Sequence, residues 1–205
     1  MQDVAVTDNK GASDDKSDYD FETEATKTLS SENKVKFPSR FDVSRNKQLL
    51  QEVDKFINEN QRRIENVDFN CPNDDILQAV PKLTNLTAIR IHDPFDSDER
   101  AKIYSCLITM NYLTIEHLEM SYIQSCCFSI PKQLYNLKDL VIKNCSDQVA
   151  KALIDSSVNS LTHLTLWNIN LNIPIKRPIP NLKGVGIDNS EIDVERYFFS
   201  NAAVR

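Results

Sequence analysis

Three histidines and a single tryptophan hold most of the chemistry this sequence could perform, and they recur at matching points of a repeated phrase. His117, Asp139 and His163 each stand immediately before the second apolar residue of their phrase. Imidazole and carboxylate in alternation is the composition of a metal centre or a general-base pair. Laid side by side as parallel strands about 4.8 Å apart, consecutive phrases separate the two imidazoles by about 10 Å. Ligands of one ion must converge far more closely, so no catalytic residue, metal or cofactor is expected. The same construction places Arg90, His92, Glu119, Lys143 and Trp167 on that face. Arginine and aromatic anchors dominate protein-interface energetics. With His117, Asp139 and His163 they form the expected partner-binding set. The alternative is a solvated sheet on which Asp68, Arg90 and Glu119 neutralise one another across strands.

Other reactive groups carry less. Cys126-Cys127 is a vicinal pair, but a reactive thiolate needs a nearby cation or helix start. The nearest basic residue in the sequence is Lys132, so a buried, structural pair is expected. The five cysteines include no C-x-x-C spacing, which argues against a zinc ribbon or disulfide framework and fits a reducing cytoplasmic or nuclear compartment. Three glycines cannot build a phosphate-cradling loop. Ser, His and Asp occur without a nucleophile elbow.

The elements that must position these residues are visible in the phrase itself. It reads Ile64-x-x-Val67-x-Phe69, Leu86-x-x-Ile89-x-Ile91, Ile115-x-x-Leu118-x-Met120, Leu137-x-x-Leu140-x-Ile142, Leu161-x-x-Leu164-x-Leu166 and Leu182-x-x-Val185-x-Ile187. Its spacing of 21 to 29 residues is that of stacked strand-and-helix repeats. Side chains alternate along a strand, so six strands present three outward rows. The first is Asn66, Ala88, His117, Asp139, His163 and Gly184; the second is Asp68, Arg90, Glu119, Val141, Thr165 and Gly186; the third is Asn70, His92, Ser121, Lys143, Trp167 and Asp188.

Strands buried on both faces read as continuous apolar runs, whereas these alternate, so one face meets water. Between them, Leu49, Leu50, Val53, Phe56 and Ile57 mark a helix over 45–61. Asn73 caps a short segment closed by Pro81, Asp96 with Glu99 resembles a capping box, and Ser146-Asp147 opens a further helix. Residues 121–133 show no regular pattern, and Pro174, Pro178 and Pro180 predict an extended return. Alternation of strand and helix implies a parallel sheet.

Residues 1–44 are acidic and poor in apolar side chains, which predicts a disordered tail, either a plain solvated extension or a regulatory or docking tail with Ser17-Asp18-Tyr19-Asp20 as a candidate phosphorylation site. The net charge of −6 argues against nucleic acid or anionic lipid as a partner. No apolar run is long enough for a membrane span, and Met1-Gln2-Asp3 opens no secretion signal. Near the C-terminus, Tyr197, Phe198 and Phe199 are expected to cover the last repeat.

Over residues 64–192 these phrases resemble the Leu-x-x-Leu-x-Leu core of irregular leucine-rich repeats, of the kind found in F-box substrate receptors. The Asn or Cys of that repeat, three residues past its third leucine, is matched by Cys145, while Asn144, Asn168 and Asn189 fall one position early. The resemblance implies an α/β fold: a right-handed solenoid over residues 45–205, a short parallel sheet on its concave side, helices behind, and an N-terminal capping helix. It implies a non-catalytic module binding a protein on the concave face, an adaptor or substrate receptor of the ubiquitin-ligase type. No F-box is visible, since Phe37-Pro38 and one helix are a poor substitute, so a ubiquitin-ligase scaffold as partner rests on the resemblance alone. The alternatives are a structural assembly subunit and an enzyme using the His117, Asp139 and His163 row.

Overall fold

A computed structural model describes residues 25–26, 33–40, 48–170 and 179–190 of the chain. Seven parallel strands form one open sheet in strict sequence order. They are β1 (Lys34–Phe37), β2 (Asn66–Asn70), β3 (Ala88–His92), β4 (His117–Ser121), β5 (Asp139–Lys143), β6 (His163–Trp167) and β7 (Gly184–Asp188). Among the described residues, four α-helices are placed between them: α1 (Gln48–Asn60), α2 (Asp74–Ala79), α3 (Asp98–Met110) and α4 (Asp147–Ser157). The six predicted strands are present. The seventh, β1, lies within the stretch whose composition predicts a disordered tail. Val35 and Phe37 are buried there, and the Phe37 ring stacks on Phe69 at 4.9 Å. Two inward apolar residues are too short a signal against an acidic background. The remainder of the tail, the proline-rich return at 171–178 and the aromatic cluster at 197–199 lie outside the described residues.

Strands β1 to β6 bury their second and fourth residues, as Ile89, Ile91, Leu118, Met120, Leu140 and Ile142 show, while the matching Val185 and Ile187 of β7 are partly buried. These join the inner faces of α1 (Leu49, Val53, Phe56, Ile57), α3 (Tyr104, Leu107, Ile108) and α4 (Val149, Ala150, Leu153, Ile154) in one core. Asn73 caps α2 through Asp75 N–H, at 2.8 Å, and Ser146 caps α4. The expected capping box at α3 is corrected. Ser97 is the cap, accepting from Arg100 N–H, and Asp96 instead accepts the Gln124 and Ser125 N–H groups, each at 2.7 Å. No regular element lies between β4 and β5.

Three polar devices, two of them recurring, support the register. First, the residue after each of β2, β4, β5, β6 and β7 (Cys71, Tyr122, Asn144, Asn168 and Asn189) takes a positive φ. Asparagine tolerates that conformation better than most residues. Asn168 donates to Asn144 Oδ1 at 2.7 Å and Asn189 to Asn168 Oδ1 at 3.3 Å. These asparagines therefore bond to one another across repeats. Second, Cys145 is buried, with its thiol 3.6 Å from the Met120 carbonyl; burial pushes the thiol up to about 12. Third, Asn85, Asn136 and Asn181, each just before the leucine or equivalent that opens a phrase, donate to the Arg62, Leu113 and Asn159 carbonyls one repeat earlier.

Between β3 and α3 sits a buried ionic cluster. Asp93, fully buried, accepts from Arg100 Nε at 2.7 Å and from the Tyr104 hydroxyl, and its other oxygen takes the Phe95 N–H at 3.2 Å. The same guanidinium donates to the Pro72 carbonyl at 2.7 Å and to Asp74, tying the turns after β2 and β3 to α3. Burial, then the Asp93 charge, pushes the Tyr104 hydroxyl far up, so it remains a donor. Among the described residues, no helix is long and apolar enough to cross a membrane.

Candidate functional site

The strand register places the candidate residues in the three rows that alternation predicts. His117 pairs with Asp139 and Asp139 with His163; Arg90 pairs with Glu119; Ser121 pairs with Lys143 and Lys143 with Trp167. Arg90, His92, His117, His163 and Trp167 are exposed, and Glu119, Asp139 and Lys143 half-buried. Ser121, also in the third row, is buried. β1 extends the rows by Lys34 and Lys36, opposite Asn66 and Asp68.

Two carboxylates organise this face. Asp139 offers Oδ2 to His117 Nδ1 at 2.6 Å and Oδ1 to His163 Nδ1 at 2.9 Å. The carboxylate stands between the two rings, each Nδ1 occupied by one of its oxygens. Thr162 Oγ1 lies 3.1 Å from the same His163 nitrogen. Gly184, next in that row, leaves room for the ring: a Cβ there would stand 3.0 Å from His163 Cδ2. Glu119 bridges Lys143, at 2.5 Å, and Arg90, at 3.7 Å. Arg90 keeps more than half of its side chain in solvent.

At the upper edge, following the strands toward their ends, His92 meets Tyr122 edge-to-face at 4.9 Å. Trp167 is 47 % exposed and Tyr122 39 %. A half-exposed aromatic retains apolar area that a partner could cover. A hollow of about 500 Å³ runs across this region, lined by Lys36, Asp68, Arg90, Glu119, Lys143 and Trp167 together with His92 and Tyr122. Cations and anions alternate along it, so the site offers fixed hydrogen-bonding partners of both signs beside an aromatic edge.

The structure thus gathers the eight candidates into two ion-paired groups, with His92 and Trp167 beside the second. Lys36 is not among the residues the sequence singles out, because the composition of residues 1–44 predicts a tail there. Nor is Tyr122, because that residue lies one position past its strand, where a left-handed turn brings it beside the outward face. Compared with known proteins, the chain matches no family model, no curated protein and no solved structure.

Proposed function

We propose that this protein is a non-catalytic interaction module built as an irregular leucine-rich-repeat solenoid, which holds a protein partner on the outward face of its sheet. One observation carries the reading: the half-exposed Trp167 and Tyr122 border a hollow whose charged lining, Arg90, Glu119 and Lys143, is already held in place by mutual ion pairs. A lining ordered before the partner arrives loses little side-chain entropy on binding. The strict sequential order of the strands, the one-sided burial and the asparagine contacts at the strand ends support the repeat architecture. An adaptor or substrate receptor of the ubiquitin-ligase type is the role that the resemblance favours, with a ubiquitin-ligase scaffold as the partner to look for.

The enzyme reading has less support: Asp139 on Nδ1 leaves Nε2 of each ring as the base, but among the described residues no hydroxyl or thiol is bonded to either Nε2, and Thr162 Oγ1 lies on the Nδ1 side. A second reading, an assembly subunit working through another surface, draws on exposed Met110, Leu113 and Tyr135, with the Tyr112 and Tyr135 rings 6.3 Å apart. Affinity purification with the wild-type chain and with Trp167→Ala separates the two. A sheet-face receptor loses a defined partner, at a cost of about 2 kcal/mol or more for a hot-spot tryptophan; an assembly subunit keeps it.

A further inference from the structure

The vicinal cysteines do not form the buried pair that the sequence predicts. Cys126 is exposed and Cys127 half-buried, in the irregular segment between β4 and β5. Their environment comes from a residue far away in sequence. Asp98, the first residue of α3, accepts from Ser125 Oγ at 2.6 Å, and the same Ser125 Oγ accepts the Cys127 N–H at 3.0 Å. The Sγ atoms of Cys126 and Cys127 and a carboxylate oxygen of Asp98 lie within 4.8 Å of one another. Asp96 fastens the segment over the start of α3 through the Gln124 and Ser125 N–H groups, and its other oxygen is buried without a hydrogen-bond partner.

We propose that Cys126, Cys127 and Asp98 form a surface site for one thiophilic divalent cation of the Zn2+ or Cd2+ class. A tetrahedral zinc ion, with bonds of about 2.0–2.3 Å, separates its ligand atoms by roughly 3.3–3.8 Å. Shifts of about 1 Å, within reach of side-chain rotation at exposed positions, close the present arrangement to that geometry. Two thiolates select a soft or borderline metal over Mg2+ or Ca2+, and water completes the fourth position.

The proton balance is defined. Near neutral pH an ordinary carboxyl group is ionised and an ordinary thiol is protonated. Two S–H bonds break as two metal–sulfur bonds form, and two protons leave to solvent. Binding therefore strengthens as pH rises. The ion cross-links the segment after β4 to the start of α3.

The test is titration of the reduced full-length chain with Cd2+, followed by the ultraviolet cadmium–thiolate charge-transfer band and by proton release into a weak buffer. One Cd2+ per chain and about two protons per ion are expected near neutral pH. Cys126→Ser with Cys127→Ser should abolish the band. Asp98→Asn should weaken binding by at least the roughly 10–100-fold that loss of even an outer-shell partner causes. Cys71→Ser with Cys106→Ser should leave it unchanged, which controls for the other accessible thiols. Circular dichroism verifies that each variant is folded. Absence of stoichiometric binding in the wild-type chain, or a band that survives the Cys126 and Cys127 replacements, would overturn the proposal. The readout does not involve a protein partner, so it stands or falls separately from the interaction function.

Discussion

Replacing Asp93 by alanine should remove more stability than any exposed-charge substitution in this protein, and the structure sets the size. Asp93 is fully buried and Arg100 is 6 % exposed. Losing the carboxylate leaves the guanidinium with the Pro72 carbonyl and with Asp74, whose side chain is 80 % exposed. Breaking a buried pair from one side costs about 3–5 kcal/mol. The Tyr104 hydroxyl, buried and without another acceptor in this cluster, adds about 1–3 kcal/mol as an orphaned donor. The two figures overlap, because both count desolvated groups left unpaired, so a loss of about 4–6 kcal/mol is expected. With a urea slope of about 2 kcal/mol/M, the unfolding midpoint should fall by roughly 2–3 M. Such a loss is a large share of the stability of an ordinary domain, about 5–15 kcal/mol.

Asp74→Ala is the control: solvent screens that partner, and its removal should cost less than about 1 kcal/mol. Replacing the cluster as a whole (Asp93→Leu, Arg100→Met and Tyr104→Phe) should recover much of the loss, since no charge or donor is then left buried. Equal midpoints for wild type and Asp93→Ala, or equal effects of Asp93→Ala and Asp74→Ala, would refute the reasoning.

Two further predictions concern the repeat devices. Cys145 keeps its proton in the folded state to about pH 12, against 9.0 as its ordinary value, so its contribution is complete below pH 9 and is lost as pH rises toward 12. Above pH 9 the wild-type chain should lose stability more steeply than Cys145→Ala, by up to about 1.4 kcal/mol per pH unit, read from urea unfolding at a series of pH values; parallel curves would exclude the assignment. Asn168→Ala should lower stability by about 1–2 kcal/mol, through the left-handed backbone and the lost asparagine bonds. Asn168→Gly should cost less because it relieves only the backbone part, and thermal melts in which glycine is no better than alanine would contradict this.

What was legible in the sequence is what a period carries. Leu118, Leu140 and Leu164 mark their strands and, through a strict two-residue alternation, also place His117, Asp139, Lys143, His163 and Trp167 on the opposite face. A register set by buried apolar residues leaves little freedom for the exposed ones. Contacts that depend on side-chain reach were not legible. Strand spacing puts the backbones of His117 and His163 far apart, yet both rings lean onto Asp139, which sits between them in register. The Asn85, Asn136 and Asn181 contacts had a signal, an asparagine before the opening apolar residue of three phrases, that only the structure made meaningful. Asp93, Arg100 and Tyr104 had none: their proximity arises from the turn after β3 meeting the first turns of α3. The Asp98 and Ser125 contact likewise joins distant segments through an irregular one, where no period constrains the chain.

The proposed partner surface is the outward sheet face around Trp167. Oxidative footprinting of the purified complex against the free chain tests it most directly, because Trp167, Tyr122 and His92 report on the face while Met110 and Tyr135, which lie off the strands, report on the rest of the surface. A partner on this face protects Trp167, Tyr122 and His92 and leaves Met110 and Tyr135 as reactive as before. A complex in which Trp167 is labelled as in the free chain, while Met110 and Tyr135 are protected, would contradict this assignment.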